Sequence, residues 1–166
     1  MTTTTPTEPP LITRLVRDFA AVRVDPAAPE AWCADAPHAV MLLAGDAVRF
    51  PEGQDVAVVL PELIKACEGV LDAPVRIGVV ARESEDAMAR RFASRRWPSL
   101  IFFRNGQYCT ELAGMHDWAE YVAYFRESLA EEPSPLPTEP VPLRGLPPRR
   151  RRVRPAPGEA SSSMFD

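Results

Sequence analysis

Cys33, Cys67 and Cys109 are the three thiols of the sequence, and no two of them form a CxxC pair. Thiol–disulfide exchange needs an accessible thiolate, usually one activated at a helix N-terminus. Isolated cysteines accompanied by only two histidines, His38 and His116, supply neither that nor a zinc-ligand spacing. They read as buried free thiols. Asp46, Glu52, Asp55 and Glu62 are near enough in sequence to gather at one edge, and paired carboxylates can do acid–base work. No histidine, metal motif or nucleophile accompanies them, so the plainer reading is solvated loop and helix-cap acids. His116 reads as a capping or surface residue. Ser99 has no His or Lys beside it in sequence to activate it. The sequence predicts no enzyme and no cofactor.

The elements that must position these groups follow from apolar periodicity. Leu11, Leu15, Val16, Phe19 and Val22 recur at helical spacing and predict a first helix over Leu11–Ala20. Ala21–Val24 reads as a short edge strand, and Pro26–Ala34 as a short helix with Trp32 facing inward. His38–Ala44 is apolar enough for a central strand. Gly45–Asp55 is then a loop, with Asp55 as N-cap of a helix from Val56 to about Glu68, closed by Gly69 and carrying Pro61 inside it. Val75–Ala81 is a second central strand. Ser84 caps a helix running to Arg91, with Ala87, Met88 and Phe92 on its apolar face. A last helix, His116–Leu129, buries Trp118, Tyr121, Val122 and Phe125.

Between those helices lies Arg95–Gly114, the most structured stretch of the sequence. Leu100–Phe103 is an unbroken apolar run suited to a strand covered on both faces. Asn105-Gly106 supplies the positive φ values of a two-residue hairpin turn, and Trp97-Pro98 stands just upstream, where a proline can begin a strand. Pro98, Ser99, four apolar residues, Arg104, Asn105-Gly106 and Gly114 resemble, without a gap, the corresponding segment of the thioredoxin fold. The resemblance implies an α/β, three-layer sandwich: a mixed β-sheet with helices on both faces and a cis bond at Pro98. It also locates what is missing. Thioredoxins place a kinking proline five residues beyond the second redox cysteine. Counting back from Pro61, the motif positions read Gly53-Gln54-Asp55-Val56, without sulfur. The buried aspartate of the first central strand is also absent from His38–Ala44.

Composition bounds the rest. The 166 residues, 46% hydrophobic and 25% charged, suit one globular domain with tails. No stretch approaches the roughly 20 apolar residues of a membrane span. Met1–Pro10 lacks the basic and apolar regions of a secretory signal, so the expected location is cytoplasmic. The net charge of −4 is unevenly spread. Through Glu132 there are 13 Lys+Arg against 20 Asp+Glu, and from Pro133 onward six Arg against three acids. Residues 1–9 read as a disordered N-terminus, 10–132 as the domain, and 133–166 as a disordered Pro/Arg-rich tail with an arginine run from Arg149 to Arg154.

A narrower resemblance covers roughly residues 10–132. The loop Ala44–Glu52, the helix segment Val56–Leu63, Arg96-Trp97-Pro98-Ser99-Leu100 and Gly114-Met115 with Asp117-Trp118 are similar to the HupG/HyaE family, accessory proteins of nickel–iron (NiFe) hydrogenase maturation. The resemblance implies a non-catalytic chaperone. Its expected partners are the NiFe hydrogenase small-subunit precursor, bound through its twin-arginine leader, and other hydrogenase accessory proteins. In that light Asp46, Glu52, Asp55 and Glu62 become candidate carboxylates for a basic peptide, beside Trp97 and Pro98 on the fold's peptide-docking edge. Trp97 reads equally well as a core cap, while Arg95 and Arg96 count against a uniformly acidic groove. Two other readings stay open. One is a thiol enzyme using Cys33 or Cys109; the other is nucleic-acid or membrane-surface binding through the arginine run.

Overall fold

The computed structural model describes residues 8–67, 69, 71 and 73–137. Expectations placed on residues 1–7 and 138–166, the arginine run included, lie outside the described residues, as does the expected helix end at Glu68. Helices α1 (Pro10–Phe19), α2 (Glu52–Cys67), α3 (Glu85–Arg91) and α4 (Trp118–Leu129) alternate with strands β1 (Val22–Arg23), β2 (His38–Leu43), β3 (Val75–Val79), β4 (Ser99–Arg104) and β5 (Gln107–Ala113). The sheet has the order β1-β3-β2-β4-β5, with β1, β3 and β2 parallel and β4 and β5 antiparallel to their neighbours.

Strand side chains alternate between two apolar layers, which is why β2 and β4 read as unbroken apolar runs. On one face Val40, Leu42, Leu100 and Phe102 meet α1, α2 and α4 through Leu15, Leu60, Leu63, Tyr121 and Phe125. On the other Ala39, Met41, Leu43, Ile101 and Phe103 meet Trp32, Met88 and Phe92. Phe103 stands edge-on to both Trp32 and Phe92, at 5.7 and 5.3 Å. Trp32 can lie over β3 because residue 78 is glycine, where a Cβ would sit 2.8 Å from the indole ring. The three-layer α/β sandwich is therefore as the sequence indicates.

The hairpin also follows the sequence. Asn105 and Gly106 take φ of 51° and 83°, and the Trp97-Pro98 bond is cis. Three local expectations are corrected. Pro26–Ala34 is not a continuous helix: Asp25 accepts N–H bonds from Ala27 and Ala28 to form a turn, Pro29 cannot donate, and only Ala31–Cys33 winds into a single 3-10 turn. The second long helix starts at Glu52, not Val56, because Gly53 and Gln54 already donate to Phe50 and Pro51; Asp55 lies in its first turn and is no cap. The closing of that helix at Gly69 lies outside the described residues, since its neighbours 68 and 70 do. In the last helix Asp117, not His116, is the cap, its carboxylate accepting from Glu120 N–H at 3.1 Å.

Candidate functional site

Register decides which loops meet. Leu43 pairs with Ser99 and Ser99 with Ala113, while Leu42 pairs with Val79. The segments after β2, before β4, after β5 and after β3 therefore leave the same end of the sheet. That end carries Asp46–Pro51, Arg82, Arg95–Pro98 and Met115–Trp118, with the first turn of α2 beside them.

The first turn of α2 shows what replaced the thiol pair. Gly53, at the position of the first redox cysteine, is pressed closely on the end of β2. A Cβ there would lie 2.7 Å from the Ala44 carbonyl carbon and overlap its oxygen. Val56, at the position of the second, is fully buried. Residues 53 and 56 carry no thiol, and residue 53 has no space for a side chain. The thiols elsewhere are withdrawn from solvent. Cys33, Cys67 and Cys109 are buried, and desolvation pushes Cys33 up to about 12 and Cys109 to about 11, with Cys67 raised as well.

Above this turn Phe50 and Trp97 face each other with ring centroids 6.1 Å apart. Both side chains abut Gly45, whose Cβ would meet them at 3.1 and 3.2 Å. Trp97 is half-buried against the Met88–Phe92 layer, so it caps the core and still keeps part of its surface exposed. Pro98 is buried, and its carbonyl accepts the Gly114 N–H at 2.7 Å. Val48, 89% exposed, Met115, 41%, and Trp118, 49%, add apolar surface at the same end. The exposure of Trp118 corrects the expectation that it is core. Tyr121, one turn further along, donates to the Gly114 carbonyl and is buried, while Trp118 at the start of α4 stays in contact with solvent.

The candidate carboxylates divide into two groups. Asp46 turns its Oδ1 back onto the Val48 and Arg49 N–H groups at 2.8 and 3.3 Å, which holds its carboxyl below the usual range and keeps it charged. Glu52 and Asp55 are exposed on the first turn of α2. Glu62 is exposed on the same helix but ten residues beyond Glu52, roughly 15 Å along the axis. Asp46, Glu52, Asp55, Trp97 and Pro98 are thus brought to one end of the sheet and Glu62 is set apart. The end is also not uniformly acidic. Arg49 lies over Phe50 at 5.3 Å and Arg82 over Trp97 at 6.0 Å, with exposed Arg95 and Arg96 nearby.

Two further carboxylates at this end escape the sequence reading. Glu85, 2% exposed, accepts the Ala44 and Gly45 N–H groups at 3.0 and 3.1 Å through Oε2 and faces Arg82 at 3.4 Å through Oε1. Desolvation pushes its carboxyl up to about 7 against the pull of those partners. The legible signal is spacing: Glu85, Met88 and Phe92 fall on one helix face, whereas Ala87, assigned to that face, is exposed. Glu111 accepts from both Ser94 Oγ and Ser99 Oγ, and burial raises its carboxyl too. Nothing in the pattern of β5 distinguishes it. Among the described residues no three His, Cys, Asp or Glu side chains gather as a metal site would require, and no helix is long and apolar enough to cross a membrane.

Residues 11–121 match the family described as Hydrogenase-1 expression protein HyaE. The chain is 46% identical over 146 residues to the hydrogenase expression/formation protein HoxO of Cupriavidus necator, covering 87% of this chain and 85% of that one. It is 50% identical over 84 residues to the hydrogenase expression/formation protein HupG of Bradyrhizobium diazoefficiens, covering 51% of this chain and 54% of that one. Among solved structures, a mutant thioredoxin of Halobacterium salinarum superimposes with a TM-score of 0.50 at 15% identity, covering 68% of this chain and 94% of that one, a likeness of fold alone. The thioredoxin-like fold without a CxxC pair and these matches agree: the chain belongs to the HyaE family of hydrogenase expression/formation proteins.

Proposed function

We propose that this chain is a non-catalytic chaperone of hydrogenase maturation that holds the NiFe hydrogenase small-subunit precursor by its twin-arginine leader, in the cytoplasm, before export. The observation that carries the reading is the contact between Gly53 and Ala44. It fills the place of the redox thiol and leaves an end of the sheet suited to binding rather than electron transfer. Phe50, Trp97, Val48, Met115 and Trp118 offer apolar and aromatic contact area. Asp46, Glu52 and Asp55 border it with carboxylates that suit bidentate pairing with guanidinium groups. Glu62, further along α2, is within reach of an extended segment that continues past the first turn.

Affinity capture from hydrogenase-expressing cells tests the partner: the unprocessed small subunit is expected to come with the chain and the processed one to be depleted. Direct titration with the leader peptide tests the site. Asp46→Lys, Glu52→Lys and Asp55→Lys together are expected to weaken binding at low salt by at least tenfold. Unchanged affinity in that triple variant would overturn the assignment of the acids.

A further inference from the structure

We propose that Glu85 is the positioning residue of the binding end, holding the Ala44–Gly45 turn and Arg82 and, through them, the Phe50–Trp97 pair, so that the charge on this buried carboxyl selects between two arrangements of the surface. Its consequence for binding rests on the leader reading above; its geometry does not.

Glu85 enters from α3 on the sheet face opposite α2, so it touches the binding end from beneath. Its Oε2 ties the buried Ala44–Gly45 turn that follows β2 to α3, and Gly45 is the residue on which both aromatic side chains rest. Its Oε1 has no hydrogen bond among the described residues and faces the Arg82 guanidinium at 3.4 Å. Arg82 in turn lies over Trp97. A buried carboxylate with one oxygen spoken for and the other left to an ion pair is sensitive to protonation.

The charged groups around it are few. Arg82 and Glu83 come from the 3-10 turn after β3, and Asp86 is the neighbouring residue on α3 and opposes ionisation. Asp46 and Arg49 come from the loop after β2, while the Trp97 segment presents a ring. Asp46 is the alternative partner for Arg82, whose charge it already feels. With Glu85 ionised, Arg82 stays over Trp97 and Asp46 is left for a partner's guanidinium. With Glu85 neutral, Arg82 is released to Asp46 and competes with that partner. Leader binding should therefore strengthen as Glu85 loses its proton. The burial that lifts its carboxyl to about 7 puts the change near neutral pH.

The test begins in the free protein. Amide signals of Ala44 and Gly45 and the Trp97 indole signal are followed by NMR from about pH 5 to 9 in wild type, Glu85→Gln and Arg82→Ala. Both sets should titrate together in wild type and lose that titration in Glu85→Gln. In Arg82→Ala, an exposed change that leaves the core intact, the amides should still titrate while the indole does not. Flat signals in wild type, or an unchanged titration in Glu85→Gln, overturn the proposal. Leader-peptide affinity is then measured in parallel and is expected to be about fivefold weaker at pH 6 than at pH 8, the effect of one surface ion pair. If the free protein titrates as expected and the peptide binds at no pH, the leader reading falls and the positioning role of Glu85 stands.

Discussion

Gly53 and Ala44 touch so closely that a Cβ on Gly53 would stand 2.7 Å from the carbonyl carbon of Ala44 and overlap its oxygen. Glycine at residue 53 lets the first turn of α2 close onto the end of β2, and any larger side chain must push the two apart. Because the obstacle is backbone, it cannot rotate away. Gly53→Ala is therefore expected to cost about 2–3 kcal/mol in urea unfolding, the upper part of the range for overpacking. Gly53→Cys with Val56→Cys restores the motif in sequence only, and insulin reduction by that variant should stay at background. A Gly53→Ala variant as stable as wild type would show that the contact is not maintained in solution.

A second prediction concerns pH. The carboxyl of Glu85 is raised to about 7 in the folded chain, against about 4.3 when unfolded. The folded state thus binds this proton more tightly. Its contribution is fully present below the unfolded value and is lost as pH rises through about 7. Glu111 is displaced in the same direction. Asp35, Asp46 and Glu8 are displaced downward, so their contributions change only at lower pH. Each tenfold gain in proton affinity is worth about 1.4 kcal/mol, so Glu85 makes wild type roughly 3 kcal/mol less stable at pH 8 than at about pH 4.5. Urea unfolding across that range should show the decline, and Glu85→Gln should flatten most of it. A wild type whose stability rises from about pH 5 to 8 contradicts the assignment.

The parts of this molecule visible in the sequence are those fixed by local chemistry. Asn105-Gly106 can hardly be other than a tight turn, and the apolar runs of β2 and β4 demand cover on both faces. The absence of a thiol at residues 53 and 56 is visible by counting from Pro61. What stays hidden depends on tertiary contact. Gly53 looks like a loop residue until Ala44, at the end of β2, is placed against it, and so the sequence starts α2 a turn late. Spacing from Met88 and Phe92 puts Glu85 on the buried face of its helix, but its partners appear only when Ala44 and Gly45 present two N–H groups to it. The acidic character of the body is legible too, but not the interleaving of Arg49 and Arg82 with the aromatic pair, which needs separate loops to meet.

The thiols supply a third prediction. Cys33 and Cys67 are fully buried and Cys109 is 6% exposed, and desolvation disfavours the thiolate of each. At about pH 8 an aromatic disulfide reagent should label none of the three in the native protein within minutes and all of them in urea. Cys33→Ser and Cys109→Ser should leave partner binding unchanged. Rapid native labelling of either residue, with peroxide or insulin turnover lost on its replacement, would reinstate the thiol-enzyme reading.

The last prediction follows from the double serine contact on Glu111. Ser94 precedes the Trp97-Pro98 segment and Ser99 follows it, and both hydroxyls donate to the same carboxylate oxygen on β5. The carboxylate therefore pins both ends of the segment to the edge strand, while Gly114 N–H holds the Pro98 carbonyl between them. Removing one hydroxyl leaves a part-buried acceptor with a single donor, so Ser99→Ala should cost about 1 kcal/mol. Ser94→Ala and Ser99→Ala share that acceptor, and their combined cost should depart measurably from the sum of the two. The segment itself should loosen before the fold does. Amide exchange at Arg95, Arg96 and Trp97 is expected to speed up in the double variant, while β2 and β4 remain protected. Leader affinity should fall with it, because an aromatic ring that must be ordered on binding contributes less than one already held in place. Additive costs and unchanged exchange at Trp97 would mean that Glu111 serves the sheet and not the binding end.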